Sequence, residues 1–210
     1  MTNFDERAKD WDADPMKVER ARIVAAAIRS ALPLGPFDKL RATPGTCALE
    51  YGCGTGLLGF ALQPYLASVT LADTSQGMLD VLAGKIKAAG AANMHPLRLD
   101  LCADPLPAAR YHVIYSLMTL HHIPDTAGIL QKFHAVLEPG GWLALADLDR
   151  EDGSFHGPEV TDVHHGFERT ELQSLAESAG FGGVTFTTVY EIPKAGRRYP
   201  VFLMTARKGT

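Results

Sequence analysis

The chain contains 210 residues, of which 46% are hydrophobic and 21% are charged, and its formal net charge at pH 7 is −4. These values predict one soluble globular domain, and an acidic chain without a basic tail excludes a surface made to bind the phosphates of nucleic acid. The three cysteines are an odd number without paired spacing, which argues against a disulfide framework and favours a reducing, cytoplasmic environment. No window approaches 18 apolar residues, so no membrane-spanning helix is predicted. The N-terminus has acids at positions 5 and 6 and no apolar core of signal-peptide length, so no signal peptide is predicted.

The first predicted helix covers 16–32, with Asp14 as its capping residue and Pro15 in its first turn. Apolar residues recur along it at intervals of three and four, which marks one buried face. The proline-containing stretch 33–44 predicts a loop between this helix and the rest of the chain.

The most informative stretch is 46–56, where a short apolar run reaches an acid, Glu50, and then a glycine loop. A mostly apolar helical segment, 57–66, follows it. The order of strand, glycine turn and helix is how α/β folds bring backbone N–H groups close to a ligand. Asp73 closes the next strand-like run, 68–72, and lies 21 positions after Gly52, near the spacing at which a carboxylate meets ribose hydroxyls. These features together predict a site for a nucleoside cofactor.

The alternation of strands and helices continues and then breaks near the end of the chain. Ser75 and Asp125 are predicted to cap two helices, and Thr170 with Gln173 predicts a capping box for the last one. The final two strands follow each other without a helix between them, which predicts an antiparallel hairpin with the loop 193–198. The later helices are predicted over 76–89, 126–137 and up to 179, with 139–141 and Gly180 as stop signals, and the later strands over 96–99, 111–117, 142–148, 184–192 and 200–206.

These elements resemble the class I S-adenosylmethionine-dependent methyltransferases of the small-molecule type over nearly the whole chain. Residues 50–56 are similar to the cofactor loop of that family, and Asp73 matches the acid that takes the ribose hydroxyls. The resemblance implies an α/β fold, Rossmann-like and doubly wound, with a mostly parallel seven-stranded sheet, a C-terminal antiparallel hairpin and an N-terminal helical cap. It also implies S-adenosyl-L-methionine as the cofactor.

The resemblance assigns further residues to the cofactor. Met78 would pack near the adenine, Asp100 and Leu101 would contact the adenine edge, and Leu117 would lie over the cofactor. Structural alternatives stay open, since Asp73 also suits a helix cap, and Cys53 suits either a nucleophile or a filler of a tight turn. The implied cofactor-binding residues are Glu50, Tyr51, Gly52, Cys53, Gly54, Gly56, Asp73, Thr74, Met78, Asp100, Leu101, Ser116 and Leu117.

The chain is predicted to form a single methyltransferase domain, 1–210, with four parts. These are an N-terminal helical lid (1–35), a cofactor-binding core (45–149), a substrate-side insertion (150–169), and a final helix with the antiparallel hairpin (170–210).

His121 and His122, which follow the fourth strand, are the predicted catalytic residues. Methyl transfer from a sulfonium requires alignment and exclusion of water, and a general base helps when the acceptor is a hydroxyl or an acidic carbon. The alternative is that these histidines only hold the loop. Residues predicted on the substrate side or in the lid are Trp11, His164, His165 and Phe167, with Phe4 and His156 as further candidates.

No metal site is predicted, although His164 and His165 form a second histidine pair. Adjacent histidines on an extended segment point to opposite sides, so each pair would offer only one ligand. The acidic residues of metal-assisted catechol-type methyltransferases are also missing after the fourth strand, where Ser116 and Leu117 stand.

The predicted function is transfer of a methyl group to a small-molecule acceptor by in-line displacement, with possible help from a histidine base. The chain lacks the motifs with which methyltransferases of DNA bases and of protein arginines hold their acceptors. Two alternatives stay open: an NAD-dependent oxidoreductase, because a glycine loop with a distal acid serves that cofactor too, and a non-catalytic S-adenosylmethionine-binding protein. The pattern predicts neither the acceptor atom nor the oligomeric state.

Overall fold

The computed structural model describes residues 4–34, 45–157 and 160–210. The predicted lid, the loop 33–44 and the insertion 150–169 are therefore described only in part. In the described ranges, no helix is both long and apolar enough to cross a membrane. The helices are α1 (Phe4–Arg7), α2 (Pro15–Ala31), α3 (Leu57–Leu62), α4 (Gln76–Ala89), α5 (Thr126–Val136) and α6 (Arg169–Ser178), and the strands are β1 (Cys47–Tyr51), β2 (Ser68–Asp73), β3 (Met94–Arg98), β4 (Tyr111–Leu117), β5 (Leu137–Leu148), β6 (Phe181–Lys194) and β7 (Arg197–Lys208).

The seven strands form one sheet in the order β3-β2-β1-β4-β5-β7-β6. The first five strands pair in parallel, whereas β7 pairs antiparallel with both β5 and β6. The predicted fold class is therefore confirmed. The strand order reverses between β1 and β4, and in open α/β sheets ligands bind at the carboxyl ends of the strands beside such a reversal.

Helices cover both faces of the sheet, as expected for strands with near-continuous apolar runs. On one face α2, α3 and α4 bury residues such as Ile28, Leu62 and Leu82. On the other face α5 and α6 bury residues such as Phe133 and Leu172. The two packed layers hold the ends of β1, β2, β4 and β5 in fixed positions.

The predicted caps at the starts of three helices are confirmed. Asp14 accepts a hydrogen bond from the Met16 amide at 2.9 Å, Ser75 from the Met78 amide, and Asp125 from the Gly128 amide. Gly90 ends α4 in the left-handed conformation with φ 61°. Local capping chemistry therefore sets the boundaries of these helices.

The predicted end of the helix near 137 is confirmed, but the strand predicted to start at Trp142 begins five residues earlier. Helix α5 ends at Val136, and β5 already begins at Leu137, which pairs with Tyr111 of β4. Trp142 pairs with Val113, so the residues between are carried in a bulge of the strand. Because Leu137 pairs with β4, residues 139–141 form an irregular start of β5 and not a separate turn. Strand β3 likewise begins at Met94, two residues before its predicted start.

The predicted capping box at the last helix is also wrong. Helix α6 begins at Arg169, and its N-cap, Glu168, makes no capping hydrogen bond through its side chain. Arg169 instead donates two hydrogen bonds to the Asp149 carboxylate, at 2.7 and 2.6 Å. A bidentate ion pair to the end of β5 therefore fixes the helix start.

The C-terminal hairpin has a shorter turn than predicted. Pro193 pairs with Arg198 and Lys194 with Arg197, which leaves a two-residue turn. Both turn residues, Ala195 and Gly196, have positive φ, as this kind of hairpin turn requires.

Candidate functional site

The predicted site residues gather at the carboxyl ends of the parallel strands. Two groups face this edge. We call residues 52–56 with Asp73 and the start of α4 the glycine-loop side, and His121, His122, Asp147 and His156 the histidine side. A separate open groove at the other end of the sheet, lined by Trp142, Glu177 and Phe181 among others, contains none of these residues.

The glycine loop depends on glycine for two different reasons. At Gly52, φ is 71° and an added Cβ would lie 2.2 Å from the Thr119 side chain, so the loop is packed tightly against the segment after β4. At Gly54, φ is 52° and an added Cβ would meet only Met78 Sδ and Trp11 Nε1, each at 3.9 Å. Only the ends of two side chains, and no backbone atoms, therefore lie next to Gly54.

Asp73 connects the glycine loop to α4. One carboxylate oxygen accepts a hydrogen bond from the Gly54 amide at 2.7 Å, and the other accepts from the Ser75 amide at 2.9 Å. Burial raises the pKa of Asp73, and these backbone hydrogen bonds oppose that rise. Ser75, and not Asp73, is the N-cap of α4. The carboxylate thus lies between the loop and the helix start, where ribose hydroxyls could reach its remaining lone pairs.

Glu50 and Cys53 lie beneath the loop. Glu50 is 2% exposed, and its Oε2 atom has no hydrogen-bond partner in the part of the chain that the structure describes. Burial, with a contribution from the Asp73 charge, raises the pKa of Glu50 well above its usual value. Burial also raises the pKa of the Cys53 thiol. A protonated, buried thiol fits the turn-filler alternative and not a nucleophile.

Most residues predicted near the adenine serve as packing for this edge. Leu101 and Met78 are fully buried, and the Leu101 amide donates to the Tyr51 hydroxyl at 3.0 Å. Asp100 is half-buried and accepts from the Cys102 amide at 2.8 Å. Tyr51 therefore holds the loop after β3 against the end of β1.

The remaining predicted cofactor residues differ in exposure. The Ser116 hydroxyl donates to the Tyr51 carbonyl at 2.7 Å, which ties β4 to β1. Leu117 is half-buried at the end of β4, and Thr74 is exposed just after Asp73. Gly56 is the N-cap of α3 with φ 81°.

The N-terminal segment is fastened across the glycine-loop side. Asp5 accepts hydrogen bonds from the Ser75 hydroxyl and from the Gly77 amide, the latter at 2.8 Å. Asp12 accepts from the Thr55 hydroxyl and forms an ion pair with Lys85. Sequence reasoning selected Trp11 and Phe4 in this segment but missed the two aspartates that anchor it.

Trp11 lies between these two anchors. Its indole nitrogen faces Gly54, and the Lys17 ammonium lies 3.7 Å from its ring centroid. The Phe4 ring packs edge-on against Trp11 and also against His122, with centroids 6.0 and 5.4 Å apart. The N-terminal segment therefore touches both sides of the site.

The histidine side is centred on a buried pair. His121 Nδ1 lies 2.7 Å from Asp147 Oδ1, and the His121 amide donates to Asp147 Oδ2 at 3.2 Å. Both side chains are at most 2% exposed. Burial alone would raise the pKa of Asp147, but the His121 charge and hydrogen bonds lower it overall. An ionised Asp147 only accepts, so His121 donates through Nδ1, and in the neutral imidazole Nε2 is the acceptor nitrogen.

Two further imidazoles adjoin this pair. The ring centroid of His121 lies 4.1 Å from that of His122 and 5.1 Å from that of His156. Burial, with the His121 charge as the next cause, lowers the pKa of His122 and of His156 to about 4. Both rings are therefore neutral at pH 7.

The premise that adjacent histidines diverge is wrong at this position. His121 and His122 lie in a 3-10 helix, Leu120–His122, and not on an extended segment, so their rings lie side by side. One ring nitrogen from each of His121, His122 and His156 lies within 4.8 Å of the other two.

The predicted substrate-side residues His164, His165 and Phe167 anchor the insertion. The His164 amide donates to the His121 carbonyl at 2.8 Å, and its Nε2 lies 2.9 Å from the Ile123 carbonyl. Phe167 is buried and bridges to Asp149, while His165 is exposed and accepts from the Glu151 amide. The insertion contributes His156 to the histidine side instead.

Sequence reasoning missed Asp147 and Arg20 on this side of the site. Asp147 ends a buried strand, where an acid among apolar residues was the available signal. Arg20 lies on α2, its buried Nε has no partner among the described residues, and its guanidinium interacts electrostatically with Tyr190, Asp14 and Asp147. No feature of α2 in the sequence distinguishes Arg20 from its other cations.

Comparison with known proteins supplies independent information. A family model described as a methyltransferase domain matches residues 48–141. An uncharacterized methyltransferase of Schizosaccharomyces pombe is 29% identical over 150 residues, which cover 64% of this chain and 53% of that protein. A ubiquinone biosynthesis O-methyltransferase of Marinobacter nauticus is 28% identical over 197 residues, or 84% of this chain and 83% of that protein.

Among solved structures, the fold resembles a phosphoethanolamine N-methyltransferase of Haemonchus contortus in complex with S-adenosylhomocysteine, with a TM-score of 0.72. The match covers 89% of this chain and 52% of that one, at 15% sequence identity. At this level of identity the likeness concerns the fold alone.

Proposed function

Because the chain belongs to the class I S-adenosylmethionine-dependent methyltransferases, we propose that it methylates the hydroxyl oxygen of a small-molecule acceptor. The observation that carries the acceptor chemistry is the buried pair of His121 and Asp147, joined at 2.7 Å where β4 and β5 end. S-adenosylmethionine supplies a methyl group activated on a sulfonium, and its transfer needs in-line alignment and little water.

The glycine-loop side would hold the cofactor. The glycine at position 54 leaves the loop backbone without a Cβ beside Trp11 and Met78, and Asp73 would accept hydrogen bonds from the ribose hydroxyls. The half-buried Asp100 would meet the adenine, and the fully buried Met78 would pack behind it beside Gly54. The N-terminal segment, fastened by Asp5 and Asp12, would exclude water from above.

The histidine side would receive the proton of the acceptor. Asp147 holds the proton of His121 on Nδ1, so Nε2 carries the lone pair that takes a proton from a hydroxyl group. His122 is a weaker choice, because a pKa of about 4 lies far below the pH at which a base must act. His122 would instead position the acceptor beside Phe4.

The relatives support an oxygen acceptor of small size. The Marinobacter protein, aligned over most of both chains, is named as an O-methyltransferase. A hydroxyl is a weak nucleophile until its proton is withdrawn, which a buried histidine–aspartate pair can do, whereas a neutral amine attacks the methyl group first and loses its proton afterwards.

The first experiment is calorimetric titration with S-adenosylhomocysteine, with NADH in parallel. We expect micromolar binding of S-adenosylhomocysteine alone. Incubation with S-adenosylmethionine labelled on its methyl group, and with matched phenols, amines and thiols, then tests the acceptor. Label in phenols above the other classes is expected. Preference for amines would overturn the oxygen assignment, and cofactor binding without turnover on any class would favour the non-catalytic alternative.

A further inference from the structure

We propose that His121, His122 and His156 form a binding site for one divalent transition-metal ion of the zinc or cobalt type. Cation binding here does not depend on the identity of the methyl acceptor. The proposal revises the expectation of no metal site, which relied on an extended conformation that residues 120–122 do not adopt.

The three histidines supply a suitable set of donor atoms in a suitable geometry. Three imidazole nitrogens lie within 4.8 Å of one another, and imidazole is a preferred ligand of zinc and neighbouring metals. With zinc–nitrogen distances of about 2.0–2.1 Å, tetrahedral ligands lie roughly 3.4 Å apart. Small rotations of the rings would bring the three nitrogens from their present separations to those of bound ligands. Three protein ligands would leave one position open toward a substrate or water.

One of the three imidazoles has an unpaired polar atom. His156 Nε2 is buried and has no hydrogen-bond partner in the described part of the chain. Burying an unpaired nitrogen costs free energy, so the position indicates a partner that the protein chain itself does not provide.

Carboxylates beside the three histidines orient them and add negative charge. Asp147 binds His121 through Nδ1, the arrangement by which a carboxylate orients a metal-binding histidine and raises its basicity. The Asp147 and Glu151 carboxylates favour positive charge at His156, while the Lys194 ammonium opposes them. The Glu151 Oε1 atom is buried without a partner among the described residues.

The residues just before His156 are held in place by several contacts. The Glu151 amide donates to the His165 carbonyl at 2.9 Å, and Ser154 is hydrogen-bonded to the Tyr199 hydroxyl at 2.8 Å. The Phe155 ring packs edge-on against both His156 and Tyr199. His156 therefore contacts His121 and His122 from a segment that these interactions hold in place.

A bound cation would change the chemistry of the histidine side. It would occupy the His121 lone pair that otherwise acts as the base, and the cation would itself lower the pKa of a bound hydroxyl. The two roles of His121 are thus alternatives, set by metal occupancy.

The test uses the full chain after treatment with a chelator and its removal. Titration with Co²⁺ is followed by visible absorption, and titration with Zn²⁺ by calorimetry, without cofactor or acceptor. We expect one equivalent of each metal to bind, with the intense Co²⁺ bands of a tetrahedral site. In His156→Gln the affinity should fall at least 10- to 100-fold, the loss typical even of residues that only support a metal ligand.

His95→Gln is the matched control, because His95 is an exposed histidine on β3, far along the sheet. It should bind both metals like the unaltered protein. Binding of S-adenosylhomocysteine, measured in the same samples, reports folding and the cofactor site separately from metal binding. The inference is overturned if the unaltered protein takes up no stoichiometric metal, or if His156→Gln binds as tightly as His95→Gln. If His156→Gln fails to bind S-adenosylhomocysteine, Asp147→Asn replaces it, with a 10- to 100-fold loss of metal affinity expected and unchanged affinity contradicting the site.

Discussion

The glycine-loop side and the histidine side lie at the same edge of the sheet but are assembled differently. The glycine-loop side comes from two short segments, 52–56 and 73–78, at the ends of the consecutive strands β1 and β2, and hydrogen bonds from backbone amides to Asp73 and Ser75 shape it. The histidine side joins the 3-10 turn after β4, the end of β5 and the insertion, and side chains shape it. A contiguous motif can therefore be recognised in sequence, whereas a site made of three distant segments depends on the packing that brings them together.

The largest expected effect separates the two sides by function. His121→Gln should lower methyl transfer about 10²- to 10⁴-fold, because it removes the proposed base, while leaving affinity for S-adenosylhomocysteine unchanged. Single-turnover rates and calorimetry measure the two quantities. His95→Gln should leave both at their original values. Equal loss in rate and cofactor affinity would mean that the two sides do not act separately.

Gly52→Ala tests the contact between the glycine loop and Thr119, two residues before His121. An alanine would adopt the left-handed conformation and place its Cβ 2.2 Å from the Thr119 side chain. The free energy of unfolding should fall by about 2–5 kcal/mol, from backbone strain and overpacking together. Urea denaturation measures the change. Gly84→Ala is the control, since nothing lies within 4 Å of an added Cβ there. A wild-type midpoint for Gly52→Ala would show that the contact with Thr119 yields easily.

Asp73→Ala should affect the glycine-loop side only. Loss of a charged hydrogen bond to the ribose should weaken S-adenosylhomocysteine binding by about 1.5–3 kcal/mol, with metal binding unchanged. Asp80→Ala, an exposed acid on α4, should bind the cofactor normally. If Asp73→Ala keeps its affinity, the carboxylate serves only the loop.

The histidine side should make stability depend on pH in a defined window. Burial first, and the His121 charge next, keep the pKa of His122 near 4 in the folded chain, against about 6.5 when unfolded. Below pH 6.5 the unfolded chain takes up the proton first, so the free energy of unfolding falls as the pH drops from 6.5 to 4. Above pH 6.5 His122 is neutral in both states and causes no loss. Allowing for partial exposure, the loss is of order 1 kcal/mol in metal-free protein.

Chemical denaturation across this window measures that loss. The free energy of unfolding is expected to change less steeply with pH in His122→Gln than in the unaltered protein. Identical slopes in the two proteins would assign the pH dependence to other groups.

The smallest effect concerns the segment that spans both sides. Asp12→Asn keeps a hydrogen-bonding side chain beside Thr55 but loses the charge attraction to Lys85. Because this ion pair is about one-third exposed, the segment should loosen by roughly 0.2–1 kcal/mol. Release of S-adenosylhomocysteine should be up to about fivefold faster, and the difference should shrink in high salt. Trp11 fluorescence in stopped flow reports release, and Asp10→Asn is the control. Equal release from both variants would remove the ion pair from the holding of the cofactor.

Several features follow from local chemistry that the sequence displays directly. The caps at Asp14, Ser75 and Asp125, the strand 111–117 and the glycine loop were all predictable, because neighbouring residues alone decide them. The errors arose where distant contacts prevail. The pairing of Leu137 with Tyr111 begins β5 early, and the ion pair of Arg169 with Asp149 replaces the predicted capping box.

By itself, the sequence determined the class of fold and the position of the cofactor loop, since alternating strands and helices and three glycines are encoded within short stretches. Only the tertiary structure decided the histidine side. The partner of His121 is 26 positions away on another strand, and His156 arrives on an insertion held by its own contacts. Short-range patterns cannot specify which distant side chains share a buried space, because that depends on how the sheet order places strand ends side by side.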